Sequence, residues 1–111
     1  TAADVFYAEE FAALGCRLFV ATEDGSLGTK GFVTGCIERS APECSYAFAC
    51  GPTPMLRAVA ALPQFTGGQF SLEARMACGF GACMGCTLET TGGPRRVCKD
   101  GPVFRKEELL W

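Results

Sequence analysis

Eight cysteines and no histidine define the chemistry open to this chain. Cys78, Cys83, Cys86 and Cys98 crowd together, three of them in the run Cys78-Gly-Phe-Gly-Ala-Cys83-Met-Gly-Cys86. C-x4-C-x2-C followed by a fourth cysteine is the plant-type spacing for a [2Fe–2S] cluster. Four thiolates must converge on two irons, two on each, and a short loop supplies three of them only if its backbone curls around the inorganic core. Gly79, Gly81 and Gly85 give that loop dihedral freedom. They also leave backbone N–H groups free to point at the sulfurs, which stabilises the negative charge there. Cys98 closes the site, and Met76, Phe80 and Met84 are expected to exclude water. The same thiols could instead hold zinc in an interaction domain without redox activity. Structural zinc takes two short C-x2-4-C knuckles, one from each side. A three-cysteine loop facing a single distant ligand favours iron–sulfur.

Cys16, Cys36, Cys44 and Cys50 are spread singly among apolar residues. A disulfide scaffold would distribute its cysteines through loops to staple a poor core, whereas 49% of these residues are hydrophobic. The expected compartment is therefore reducing, the cytoplasm, with Cys16, Cys36 and Cys44 as small buried hydrophobes. The remaining arithmetic excludes more than it assigns. The lack of histidine removes Ser-His-Asp triads, Cys-His nucleophiles and histidine acid–base work. A net charge of -2 without a basic run argues against electrostatic nucleic-acid binding. No apolar run approaches the ~18 residues of a membrane helix. At 111 residues the chain has room for one small domain or two miniature ones.

The elements that must position these thiols read as α/β, then mainly β. Asp4 is placed to cap a helix carrying Tyr7, Phe11 and Leu14 on one face, with Gly15 at its C′ position. Residues 17–22 form a short run of β-formers that ends in the turn signal Glu23-Asp24-Gly25-Ser26. A short helix is expected over 32–39 and a buried strand over 45–50. Thr53 is placed to cap the next helix and Pro54 to open it, with Met55, Leu56, Val59 and Ala60 on one side. Pro63 and Gly67-Gly68 mark a break. A half-buried strand then covers 69–73, and a hairpin around Gly92-Gly93 joins 86–90 to 95–98. The tail, 106–111, is expected to make one turn of helix.

The second informative stretch is Cys50-Gly-Pro-Thr-Pro-Met55. A strand ends, a glycine turns the chain and a helix begins. In open α/β sheets ligands bind beyond the carboxyl ends of strands. Residues 22–26 also lie at a strand's carboxyl end and could reach the same crevice. On local grounds alone, a plain strand-to-helix turn explains the stretch equally well.

Taken together, these stretches resemble a known family. Cys50-Gly-Pro-Thr-Pro-Met55 is similar to the nicotinamide-side motif of the ferredoxin–NADP reductase superfamily. Ser71-Leu-Glu-Ala-Arg-Met-Ala-Cys-Gly-Phe-Gly-Ala-Cys-Met-Gly-Cys86 and Arg96-Val-Cys-Lys-Asp-Gly-Pro-Val-Phe104 resemble the electron-transfer subunit of dihydroorotate dehydrogenase type B. Ala21-Thr-Glu-Asp-Gly-Ser-Leu-Gly-Thr-Lys-Gly-Phe-Val-Thr34 matches the same subunit. The resemblance implies a subunit carrying FAD and one [2Fe–2S] cluster. Such a subunit passes electrons between the FMN of a catalytic partner subunit and NAD as dihydroorotate is oxidised to orotate in pyrimidine biosynthesis. Carried onto this chain, it makes Cys78, Cys83, Cys86 and Cys98 the cluster ligands. Cys50, Gly51, Pro52 and Met55 would lie near the nicotinamide, and Asp24, Gly25 and Ser26 near the adenosine end. A reductase subunit of some other flavoprotein would use the same module.

The implied fold is α/β: part of a doubly wound NAD-binding module over 1–66, the C-terminal half of a ferredoxin reductase-like unit, then a small mainly-β cluster domain over 67–111. The family's FAD-binding barrel and Gly-rich pyrophosphate loop have no counterpart in these residues. The chain is therefore expected to match the C-terminal part of a longer subunit and to be inactive alone. In the doubly wound order 3-2-1-4-5, its strands at 17–22, 45–50 and 69–73 would be the third, fourth and fifth. Unpaired strand edges are then expected to drive self-association.

Overall fold

A computed structural model describes residues 1–40 and 43–111, and they form two compact units, Thr1–Glu43 and Cys44–Trp111. No helix is long and apolar enough to cross a membrane among the described residues.

In the first unit a 3-10 turn, Ala2–Asp4, precedes helix α1, Ala8–Ala13. Asp4 does not cap that helix: its carboxylate accepts from the Thr1 ammonium at 2.7 Å and from the Thr1 hydroxyl. Tyr7, in the left-handed region at φ 58°, occupies the N-cap. Gly15 adopts φ 78° just past the C-cap Leu14, as the sequence indicates. The apolar stripe Tyr7, Phe11 and Leu14 is exposed. Of the run 17–22, only β1, Ala21–Thr22, is strand, paired in parallel with β2, Thr29–Lys30. Gly28 allows this narrow ladder, because a Cβ there would lie 2.1 Å from the Val20 carbonyl oxygen. Helix α2, Val33–Ser40, follows and buries Cys36. Cys16 and Cys44 are exposed, against the expectation of burial.

The second unit is built on a three-stranded sheet. β3, Tyr46–Cys50, pairs in parallel with β4, Gly67–Ser71, which pairs antiparallel with β7, Val103–Arg105. The adjacency of β3 and β4 is that expected of the fourth and fifth strands of a doubly wound module. This pairing crosses the 66/67 boundary read from the sequence. The expected break at Gly67-Gly68 is the start of β4, two residues earlier than read. Its glycines bring the backbones close: a Cβ on Gly68 would meet the Ala47 carbonyl oxygen at 2.9 Å.

Helix α3, Thr53–Ala60, is the parallel crossover between β3 and β4. Its N-cap is Pro52 and the Thr53 side chain makes no capping bond, so the expected cap is displaced by one residue. Leu56, Val59 and Ala60 are buried, together with Ala47, Phe65, Phe70 and Phe104. Phe70 lies opposite Phe104 in register and packs edge-on against Trp111, ring centroids 5.5 Å apart. The hairpin β5, Thr87–Thr90, and β6, Gly93–Arg96, runs into helix α4, Val97–Asp100. The tail makes a 3-10 turn, Lys106–Glu108.

Candidate metal centre

The cysteine loop connects β4 to β5, and its fourth partner lies on α4. Two of its turns require the left-handed region in glycine, Gly79 at φ 73° and Gly81 at φ 91°. The third falls on Met84 at φ 61°, not on the neighbouring Gly85. At Gly81 a Cβ would lie 2.7 Å from Lys99 Cδ and 3.3 Å from Arg96 Nη1, so any side chain there must displace Lys99.

The four thiols come together as two pairs. Cys78 faces the backbone amides of Cys83, Phe80 and Ala82 and accepts from the Cys83 thiol, which pulls its pKa down to about 6. The Gly85 amide donates to Cys83 Sγ at 3.4 Å. In the second pair the Cys98 amide donates to Cys86 Sγ at 3.5 Å and the Val97 amide to the Cys86 carbonyl at 3.1 Å. Hydrogen bonds from the Cys98 amide and thiol hold Cys86 below the usual thiol range. Cys98 is pushed up, first because it donates to Cys86 and then by burial. Each pair thus holds one sulfur favoured as thiolate and one as its donor. Among the described residues no three Cys, His, Asp or Glu side chains gather as one ion would require. Two sulfur pairs with amides aimed at them suit a binuclear core, two ligands to each iron.

Met76, Phe80 and Met84 do not seal this site. All three are exposed, Phe80 by 71%. Their neighbours in the loop turn backbone toward the sulfurs, and the apolar side chains point outward. Shielding comes from beneath, where Cys86 and Val97 are buried.

Sequence reasoning assigned no role to Arg96 and Asp100, which brace the loop. The Arg96 Nε and Nη2 donate to Asp100 at 3.0 and 3.3 Å, and the Arg96 amide donates to Asp100 at 2.8 Å. The third arm, Nη1, reaches the Gly81 carbonyl at 2.9 Å. The Arg96 side-chain bond holds the Asp100 carboxyl below the usual carboxylate range. The i,i+4 spacing of an acid and an arginine around Cys98 was the available signal. A cavity of about 250 Å³ also opens beside Cys86, lined by Arg57, Glu73, Glu89, Thr53 and Trp111 among others.

The residues assigned to the nucleotide fall in different units. Asp24, Gly25 and Ser26 form a turn in the first. There the Asp24 carboxylate accepts from the Ser26 amide at 3.1 Å and hydroxyl at 2.7 Å, which lowers its pKa. Cys50, Gly51, Pro52 and Met55 stand in the second unit, where β3 turns into α3. Cys50 is exposed, and the Met55 methyl lies against Gly51, 2.4 Å from where a Cβ would stand.

A parallel βαβ unit joined to a cysteine loop and hairpin defines a ferredoxin reductase-like module with an iron–sulfur domain. Residues 73–110 match the family described as the iron–sulfur cluster binding domain of dihydroorotate dehydrogenase B. The electron transfer subunit of dihydroorotate dehydrogenase B (NAD(+)) from Bacillus caldolyticus is 50% identical, over 99% of this chain and 44% of its own length. That from Listeria monocytogenes is 46% identical over 98% of this chain and 44% of its own length. A solved structure described as an NADH-dependent reduced ferredoxin-NADP oxidoreductase, from work on flavin-based electron bifurcation, superposes with a TM-score of 0.78. It is 32% identical and covers 94% of this chain and 39% of its own. The chain is thus related, over nearly its whole length, to the C-terminal part of the dihydroorotate dehydrogenase B electron transfer subunit, and it spans less than half the length of these relatives.

Proposed function

We propose that the chain is the cluster-bearing part of an electron-transfer subunit. Its electrons pass between the FMN of a dihydroorotate dehydrogenase catalytic subunit and the FAD and NAD of the full-length subunit, in cytoplasmic pyrimidine biosynthesis. The observation that carries this reading is the two-plus-two arrangement of Cys78 with Cys83 and Cys86 with Cys98. Cys78 and Cys83 would hold one iron, and Cys86 and Cys98 the other. When bound, a [2Fe–2S] cluster supplies one-electron chemistry between partners that handle two. The chain's own contribution is orientation and charge. The amides of residues 80, 82, 83, 85 and 98 face the sulfurs and stabilise negative charge where it accumulates.

The domain reading accompanies this proposal: 1–66 as the C-terminal half of an NAD-binding module, 67–111 as the cluster domain. Asp24, Gly25 and Ser26 would serve the adenosine end, and Cys50, Gly51, Pro52 and Met55 the nicotinamide. Taken alone, the chain is proposed to self-associate.

Iron and sulfide analysis with a visible absorption spectrum of anaerobically purified chain tests the reading. About two irons and two sulfides per chain are expected, with a red-brown colour. A colourless chain holding stoichiometric zinc after expression with ample iron would overturn it.

A further inference from the structure

The segment that leads into the cysteine loop and carries its first two thiols is tied to the rest of its unit at one point. Among the described residues, no backbone amide or carbonyl of 73–83 bonds to another backbone group. Apart from contacts inside the loop itself, the hydrogen bond that reaches this segment is the one from Arg96 Nη1 to the Gly81 carbonyl, 2.9 Å long and spanning fifteen residues. Gly81 is also the buried residue of 79–83, with exposed neighbours on both sides. It packs against the Lys99 stem, whose Cδ stands 2.7 Å from where a Cβ would be.

The other end of this tie is α4. Arg96 is its N-cap and Asp100 its last residue. The Asp100 carboxylate accepts from Nε at 3.0 Å, from Nη2 at 3.3 Å and from the Arg96 amide at 2.8 Å. That fork fixes the guanidinium and leaves Nη1 for Gly81. Gly81 lies between Cys78 and Cys83, and Arg96 stands just before Cys98. The contact therefore joins the segment carrying one sulfur pair to the element carrying Cys98 of the other. Neither of its partners is a sulfur, so it needs no metal to form.

We propose that Arg96, braced by Asp100, is a positioning residue that latches the cysteine loop onto α4 and so sets how long the metal centre is retained. The proposal rests on the cluster reading above. Ligands held at their spacing lose less chain entropy when metal binds, and a latched loop returns a released sulfur before iron escapes. A hydrogen bond from a charged donor is worth about tenfold in such an equilibrium.

Lysine keeps the charge of Arg96, but its single ammonium cannot hold Asp100 and Gly81 together as the guanidinium does. The loaded wild type, Arg96→Lys, Asp100→Asn and the double variant would be mixed with excess iron chelator and the half-life of visible absorbance read. Arg96→Lys is expected to shorten it by about tenfold, and Asp100→Asn by less, since asparagine keeps one acceptor. The double variant should be no faster than Arg96→Lys, because Asp100 acts through Arg96. Hydrogen exchange of the β4 and β7 amides, measured over times short against that half-life, should stay at the wild-type rate. In Phe70→Ala, which weakens the core and not the latch, both readouts should move. A wild-type half-life in both single variants, additive effects in the double variant, or faster exchange in β4 and β7 overturns the proposal. Asp100→Asn keeps Arg96 in place, so its half-life and exchange decide the matter if Arg96→Lys does not fold. A wild-type chain that purifies without iron and sulfide removes the cluster reading and the latch with it, whereas a loaded wild type with unaltered variants removes the latch alone.

Discussion

A thiol holds metal only after giving up its proton, and in this chain each cysteine pair already divides that task. Cys78 and Cys86 are the sulfurs favoured as thiolate, with Cys83 and Cys98 donating to them. Neither pair suffices alone, because an iron left with a single thiolate has open positions. Cys83→Ser and Cys98→Ala are therefore each expected to lose the cluster or change its spectrum strongly, read as iron, sulfide and visible absorbance per chain. Cys16→Ala should leave all three unchanged, since that thiol is exposed in the first unit. Loss of the cluster in Cys16→Ala, or its retention in Cys98→Ala, would break the ligand assignment. Gly81 carries the other residue-scale prediction. Alanine there must hold a left-handed φ, at about 1–2 kcal/mol, and must displace Lys99. Gly81→Ala is expected to shorten the half-life of cluster loss to a chelator and to lower the unfolding midpoint in urea. A half-life equal to that of the wild type would show that the loop does not need this contact.

The elements that carry the loop are held by one small core. β4 passes through its centre, with Phe70 fully buried between Phe104 and Trp111. Phe70→Ala should cost about 3–5 kcal/mol, measured by denaturant unfolding. The loop begins a few residues beyond β4, so iron retention should fall with stability. Much of this layer was legible in the sequence, because α3 and β3 have clear periodicity and the hairpin has clear turn residues. What was missed depends on tertiary context. Gly67-Gly68 reads as a break by propensity, yet both are strand, and at Gly68 the β3 backbone comes too close for a side chain. The run 17–22 has strong β-formers, but a strand needs a partner to satisfy its N–H and C=O groups, and the ladder of β1 with β2 is two residues long. Met76, Phe80 and Met84 are apolar in a loop that points them outward. The Arg96–Gly81 contact spans fifteen positions and leaves no local pattern.

At the scale of the whole molecule, burial is uneven. In Thr1–Glu43 the buried residues among those described are Thr22 and Cys36, while Phe6 is 77% exposed and Leu14 78% exposed. A unit of this size is below what a single hydrophobic core usually stabilises, and this one has scarcely any core. Cys44–Trp111 holds nearly all of the buried apolar residues but leaves Phe48 78% exposed on the outer face of β3. Among the described residues β3 ends the sheet order, so one of its edges pairs with no other strand there and offers a template for one. Exposed aromatic side chains and an open strand edge both favour association. Size-exclusion chromatography with light scattering should therefore give a mass above 11.7 kDa that rises with concentration. Hydrogen exchange supplies a second readout. The amides of α1 and β1 should exchange much faster than those of α3, β4 and β7, because local stability follows buried contacts. If the longer subunit covers these surfaces, α1 and β1 should gain protection in the full-length protein and the excess mass should disappear. A strictly monomeric chain with equal protection in both units would show that the exposed residues lack the affinity assigned to them.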